Sequence, residues 1–386
     1  MSTTQARPHL DGLSSLRYFA AVYVFLFHSL AMKVVDRLPA PHWFQYFCGL
    51  GYIAVSFFFV LSGFVLVYGY GDREIKDWWK FMRARFARIY PAYLLGLFFT
   101  SGFFFMINLF DVPDFRWFAR HQVITVITQV TMTQAWIPQA ALGWNMPGWA
   151  VSVFMAYYAI FPWVSRKMRQ MSTGAMFALV AVAWVCSVAV AVGYQVIQPD
   201  GVAANTAQVA LPWLNFVKFH PVMRVSEFLM GMAVGYAVLR GAPSLKRAGL
   251  SAVAGLGLLA ALIAVGGHVP YVVMHTGLAA PAFALVIYGL SVPSKWSAWL
   301  CAKPMTALGD ASLNFYLLHS MWIGIIFQFR ETGPQVPVTW TRFAITLAVS
   351  IAISLALYRW WETPARKKFD PVAKAKPKVA ELATAS

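Results

Sequence analysis

Charge is what this sequence has least of. Only 12% of its 386 residues are Asp, Glu, Lys or Arg, about half the share found in soluble domains. That scarcity argues against a set of water-soluble domains and so against most cytosolic enzymes. Cysteine is scarce too: Cys48, Cys186 and Cys301 lie far apart with no C-x-x-C spacing, so neither a disulfide framework nor a zinc site is expected and the three read as small apolar fillers. There is no HExxH, no H-x-x-x-H pair and no G-x-S-x-G elbow, which leaves metal ligation and serine hydrolysis without an anchor. Acidic residues number 14 against 31 basic ones, a net charge of +17. The positive charges fall between apolar runs and form no basic face, so nucleic acid is not an expected partner.

What the chain has in abundance is apolar sequence, 60% of the total. A helix crossing a hydrocarbon core of about 30 Å needs roughly 20 apolar residues. Runs of that kind fall at 14–35, 52–70, 88–110, 148–165, 174–195, 222–240, 249–266, 271–290, 308–328 and 341–361. The expected fold is therefore all-α, a polytopic transmembrane bundle of about ten spans set in a lipid bilayer. Segments 122–138 and 207–220 are apolar but interrupted, and are read as surface or re-entrant pieces. With both termini cytoplasmic, 22 Lys and Arg fall inside and 8 outside, Arg17 being counted apart because it lies within the first span; the positive-inside rule favours that orientation. No cleavable leader is expected, since a polar start runs into a span that carries Arg17 and His28. Residues 1–369 form one membrane domain, and the basic stretch 370–386 is too polar to pack and reads as a disordered cytoplasmic tail. No internal repeat supports an inverted-repeat transporter, and no motif specifies an oligomeric state.

Three clusters carry candidate chemistry. In the first span His28 lies eleven residues beyond Arg17, which places the two side chains within about 20° of each other and about 16.5 Å apart along the axis. An imidazole at that depth is a functional candidate, the alternative being a histidine bonded to a neighbouring helix with Arg17 snorkelling. The second cluster, Arg83-Ala84-Arg85-Phe86-Ala87-Arg88 before Tyr90-Pro91, spaces Arg85 and Arg88 to grip phosphate together or to anchor a loop on anionic lipid. The third runs from Leu308 to Ser320 and holds a second intramembrane histidine, His319, behind Asp310, which is read as a helix cap. Arg224 and Glu227 have the i,i+3 spacing of an ion pair, with a structural role ahead of a catalytic one. Glu362 is read as a solvated or lipid-facing boundary, and Ser62-Gly63 as a site of close helix packing. His9 and His42 fall in flanking loops, His121 and His220 in outer loops, and His268 and His275 bracket a short outer turn.

In this order the pieces resemble the acyltransferase-3 family of integral-membrane O-acyltransferases. The resemblance extends from Leu10 to Arg366 and rests on Arg17 with His28, Phe57-Phe58-Phe59-Val60-Leu61-Ser62-Gly63-Phe64, Arg85-x-x-Arg88 with Tyr90-Pro91, Arg224 to Gly231, Ser312 to His319, and Trp361-Glu362-Thr363-Pro364-Ala365-Arg366. It implies transfer of an acyl group, commonly acetyl, from acyl-coenzyme A to a hydroxyl of a glycan or lipid-linked sugar, in a bacterial inner membrane. Acyl-coenzyme A is then the donor substrate and no metal is required. On that reading Arg85, Arg88 and Arg17 receive the donor phosphates and His28 acts as general base. His319 is a second base or a donor to the acyl carbonyl, with Glu227, Arg224 and Asp310 in support. The chain departs from the family where Phe154 stands at a position many members fill with glutamate; either the acceptor site differs or Glu227 does related work. The chain also ends soon after its last span, so acceptor handling is expected within the membrane domain. A small-molecule or glycan transporter is the second reading, and a membrane scaffold the third.

Overall fold

A computed structural model describes residues 10–109, 116–201, 211–327 and 338–369. His9 and the tail at 370–386 lie outside the described residues. Within them the chain is helical, with no strand. The helices are α1 (Asp11–Ala31), α2 (His42–Gly49), α3 (Ala54–Tyr70), α4 (Trp78–Leu109), α5 (Arg116–Arg120), α6 (Gln122–Val130), α7 (Trp149–Gln170) and α8 (Thr173–Ile197). They continue as α9 (Pro212–Phe219), α10 (Pro221–Arg240), α11 (Leu245–Val265), α12 (Tyr271–Val273), α13 (Ala280–Gly289), α14 (Lys303–Phe327), α15 (Trp340–Leu357) and α16 (Thr363–Phe369). Each expected span coincides with one of these helices or a run of them. Among the described residues eight helical stretches are both long and apolar enough to cross a membrane. α4 and α14, at 32 and 25 residues, have the length. The protein is an all-α polytopic membrane bundle.

Local chemistry sets the ends. Ser172, Ser244 and Thr339 each accept a backbone N–H in the first turn of α8, α11 and α15, the usual use of a short hydroxyl at a helix start. Pro212 and Pro221 open α9 and α10, where a missing N–H costs nothing. The same rule corrects the reading of Asp310 as a cap. Pro304 lies in the first turn of α14, which begins at Lys303, so Asp310 falls two turns inside the helix and its carboxylate is free to reach another element.

The centre of the bundle is the contact of α3 with α10. A Cβ on Gly63 would collide with the Phe228 carbonyl oxygen, and one on Gly231 with that of Val60. The two helices therefore meet backbone to backbone, as small residues permit in membranes, and beside this contact Ser62 donates to the Tyr158 hydroxyl at 3.3 Å. α8 and α11 sit at the periphery and turn Val182, Val185, Leu250 and Val253 outward. Cys48 fills the interior, but Cys186 and Cys301 are exposed; the filler role holds for the first cysteine alone.

The two interrupted segments differ. α6 has nine residues, about 13 Å, too short to cross. Its Gln129 is buried, donates to the Gly143 carbonyl at 2.5 Å and accepts from Tyr93 at 3.1 Å. α9 is no surface piece: Leu214, Val217, Lys218 and Phe219 are buried. Asp200 ties its first turn by accepting from the backbone N–H of Trp213 and Leu214 at 3.2 and 2.9 Å.

Candidate active site

α1 and α14 run parallel along one seam. At its start Gly309 lies so close to the Ser14 carbonyl that no Cβ fits between them. Further along, Phe25 stacks obliquely on Phe315 with ring centroids 5.8 Å apart, and at the far end His28 Nδ1 lies 3.0 Å from His319 Nε2. His319 is fully buried and His28 half-buried.

Hydrogen-bond partners assign the tautomers of this pair. His319 Nδ1 lies 2.6 Å from the Tyr316 carbonyl, which can only accept, so this nitrogen carries the hydrogen. In the neutral ring Nε2 is then an acceptor. His28 Nδ1, 3.1 Å from the Val24 carbonyl and 3.0 Å from His319 Nε2, must be the donor to both. The remaining nitrogen, His28 Nε2, keeps its lone pair. The chain Tyr316–His319–His28 thus aims one basic nitrogen away from His319.

At the other end of the seam Arg17 donates to Asp310 at 3.1 Å, and Asp310 accepts from Tyr358 at 3.4 Å. Arg88 and Glu362 lie close enough to act electrostatically on Arg17, and Arg88 and Arg366 on Glu362. Three guanidinium groups and two carboxylates therefore share this region, a net positive site of the kind that suits phosphate. Glu362 is no solvated boundary: it is buried and accepts from Asn314 at 2.6 Å. The widened turn that carries it is pinned to α4, where Trp361 donates to the Pro91 carbonyl at 3.0 Å. Arg85 donates to Tyr70 at 3.0 Å and stacks over the Tyr70 and Phe81 rings.

A third cluster centres on α10. Arg224 and Glu227 are buried and joined twice, Nε to Oε2 at 2.7 Å and Nη2 to Oε1 at 2.9 Å. Arg224 also donates to Ser56 at 3.3 Å, to His275 Nδ1 at 3.1 Å and to the His275 carbonyl, and its guanidinium lies over Phe59. Gly277, with φ +77, presses on the Glu227 side chain where a Cβ would stand only 2.9 Å from it. Phe154 lies against Phe59 with centroids 5.1 Å apart, an apolar contact that replaces any carboxylate there. Two residues of this region escaped the sequence reading. His275 sits inside the cluster instead of on an outer turn, and Lys218 is a buried ammonium on α9. The signal for Lys218 was a lone charge within an apolar run. Among the described residues no three His, Cys, Asp or Glu side chains converge on a common point.

The comparisons agree with this architecture. A family described as an acyltransferase domain, acyltransferase-3, matches residues 10–359. The acyltransferase MdmB of Streptomyces mycarofaciens is 28% identical over 322 residues, 81% of this chain and 79% of the relative. Protein 2 in the picA locus of Rhizobium radiobacter is 36% identical over 107 residues, 27% of this chain and 49% of that protein. No solved structure matches. With the family's match covering nearly the whole of a polytopic helical bundle, the chain belongs to the acyltransferase-3 family of integral-membrane acyltransferases.

Proposed function

We propose that the protein transfers an acyl group, acetyl first among the candidates, from acyl-coenzyme A to a hydroxyl of a glycan or lipid-linked sugar. The site of this transfer is a bacterial inner membrane, with both termini on the cytoplasmic side. The observation that carries this reading is the free Nε2 lone pair on His28, held in place by His319.

In the reaction, His28 Nε2 takes the proton of the acceptor hydroxyl as its oxygen attacks the thioester carbonyl. The C–O bond forms, the tetrahedral intermediate collapses with cleavage of the C–S bond, and the imidazolium returns the proton to the departing coenzyme A sulfur. His319 supports the cation through the Nδ1–H···Nε2 bond and keeps the ring oriented. That assigns His28 the chemistry and His319 a positioning role, and no metal is needed.

The donor approaches at the opposite end of the seam. Arg17 and Arg88, with Arg366 beside them, supply guanidinium groups for its phosphates. The separation of about 16.5 Å between Arg17 and His28 along α1 is comparable to the reach of a pantetheine arm. Arg85 contributes less than Arg88 because Tyr70 already holds it. Asp310 keeps Arg17 in place, and the Arg224–Glu227 pair is structural support around the acceptor side. Incubating membranes that contain the protein with acetyl-coenzyme A labelled in the acetyl group tests the proposal. Alkali-labile label on extracted glycan is the expected result; its absence above membranes without the protein overturns the reading.

A further inference from the structure

One ionisable side chain takes no part in that reaction. Lys218, on α9, is 1% exposed, and its ammonium faces two aromatic rings, Phe219 at 4.5 Å and Tyr271 at 5.2 Å from their centroids. Among the described residues no carboxylate pairs with it. Glu227 is taken twice by Arg224, and Asp200 is taken by Tyr194 and the first turn of α9. Aromatic faces offset only part of the desolvation of a buried ammonium, and an unpaired charge at this depth is kept for a ligand more often than for packing.

The position of this charge relative to the histidine pair gives it meaning. Tyr271 meets Tyr52 with centroids 4.8 Å apart, Tyr52 meets Phe27 at 5.2 Å, and Phe27 meets His28 at 5.1 Å. A continuous aromatic strip therefore leads from the ammonium to the base, and Lys218 acts electrostatically on both His28 and His275. Phe27 and Tyr271, half-buried along this strip, leave apolar ring surface for a sugar, with the Lys218 amine at its far end.

We infer that Lys218 anchors an anionic group of the acyl acceptor, a carboxylate on the sugar or a phosphate at its lipid link, and so holds the hydroxyl against His28. This rests on the transferase reading for its second half; binding of the anion does not. Lysine suits the task because it meets an anion as a point charge without fixing one planar geometry.

The test uses the purified full chain in detergent and follows thermal melting with methyl glucuronide, glucose 1-phosphate or the neutral methyl glucoside. A ligand that binds the folded state raises the melting temperature by mass action. We expect one or both anionic sugars to raise it in the wild type and in Lys218→Arg but not in Lys218→Met, and the glucoside to have the smaller effect. Which anion acts separates the carboxylate from the phosphate source. Equal shifts with glucoside and both anions, no shift with either anion, or an undiminished shift in Lys218→Met overturns the inference, and the wild-type comparison decides even if Lys218→Met does not fold. In parallel, acetyl transfer to glucuronide relative to glucoside should fall at least tenfold in Lys218→Met. Anion-dependent melting without any transfer by the wild type would keep the anion site and overturn the transferase reading.

Discussion

The Arg224 cluster and the histidine pair both bury ionisable side chains, and they differ in what they leave unused. Around Arg224 the guanidinium is shared among Glu227, Ser56 and His275 and covered by Phe59. On the α1–α14 seam, His319 engages both its nitrogens, Nδ1 with the Tyr316 carbonyl and Nε2 with His28, and His28 engages only one. A closed network specifies packing, whereas an open lone pair at the end of an ordered chain is available for chemistry. The contrast separates the two histidines as well: in the proposed reaction the buried one orients and the half-buried one takes the proton.

Substitution can break or sharpen that contrast. The largest effect is expected from Arg224→Met, which strands the Glu227 carboxylate in the interior at a cost of about 3–5 kcal/mol. The folded yield and melting temperature in detergent should collapse, and a wild-type melting curve would show that this cluster does not hold the fold. Next, His319→Phe removes the acceptor that orients His28 and should lower kcat about 100-fold with KM for acyl-coenzyme A unchanged. A rise in KM alone would move His319 to donor binding. Gly231→Val drives a side chain into the Val60 carbonyl, and should cost about 1–3 kcal/mol by overpacking, read as a lower melting temperature. The smallest change separates the two arginines of the Arg85-x-x-Arg88 motif. Arg88→Ala should raise KM for acyl-coenzyme A about tenfold through one lost charged contact, and Arg85→Ala less, since Tyr70 holds that side chain. Equal effects would return both to one phosphate site.

The features legible in the sequence were those fixed by local period and spacing. The apolar runs located the spans, the i,i+3 interval identified Arg224 and Glu227, and the eleven-residue interval placed Arg17 and His28 where both turn toward α14. What was not legible depends on partners far along the chain. Glu362 looked like a boundary because Asn314, which buries it, lies 48 residues earlier. Asp310 looked like a cap because the start of α14 at Lys303 lies outside the apolar run; the long reach to Arg17 is a tertiary fact. Arg85 and Arg88 shared a helix face by spacing, but the spacing could not show that Tyr70 on α3 accepts from Arg85. Lys218 was visible as a residue but not as a site, since its significance lies in the carboxylates that other groups have already taken.

The central claim is that one open imidazole nitrogen performs the transfer. Its most direct test is acetyl transfer by purified His28→Ala, with melting measured on the same sample. The account predicts a melting temperature within a few degrees of the wild type and product no higher than the uncatalysed background. Product formation near the wild-type rate by that folded variant would contradict it.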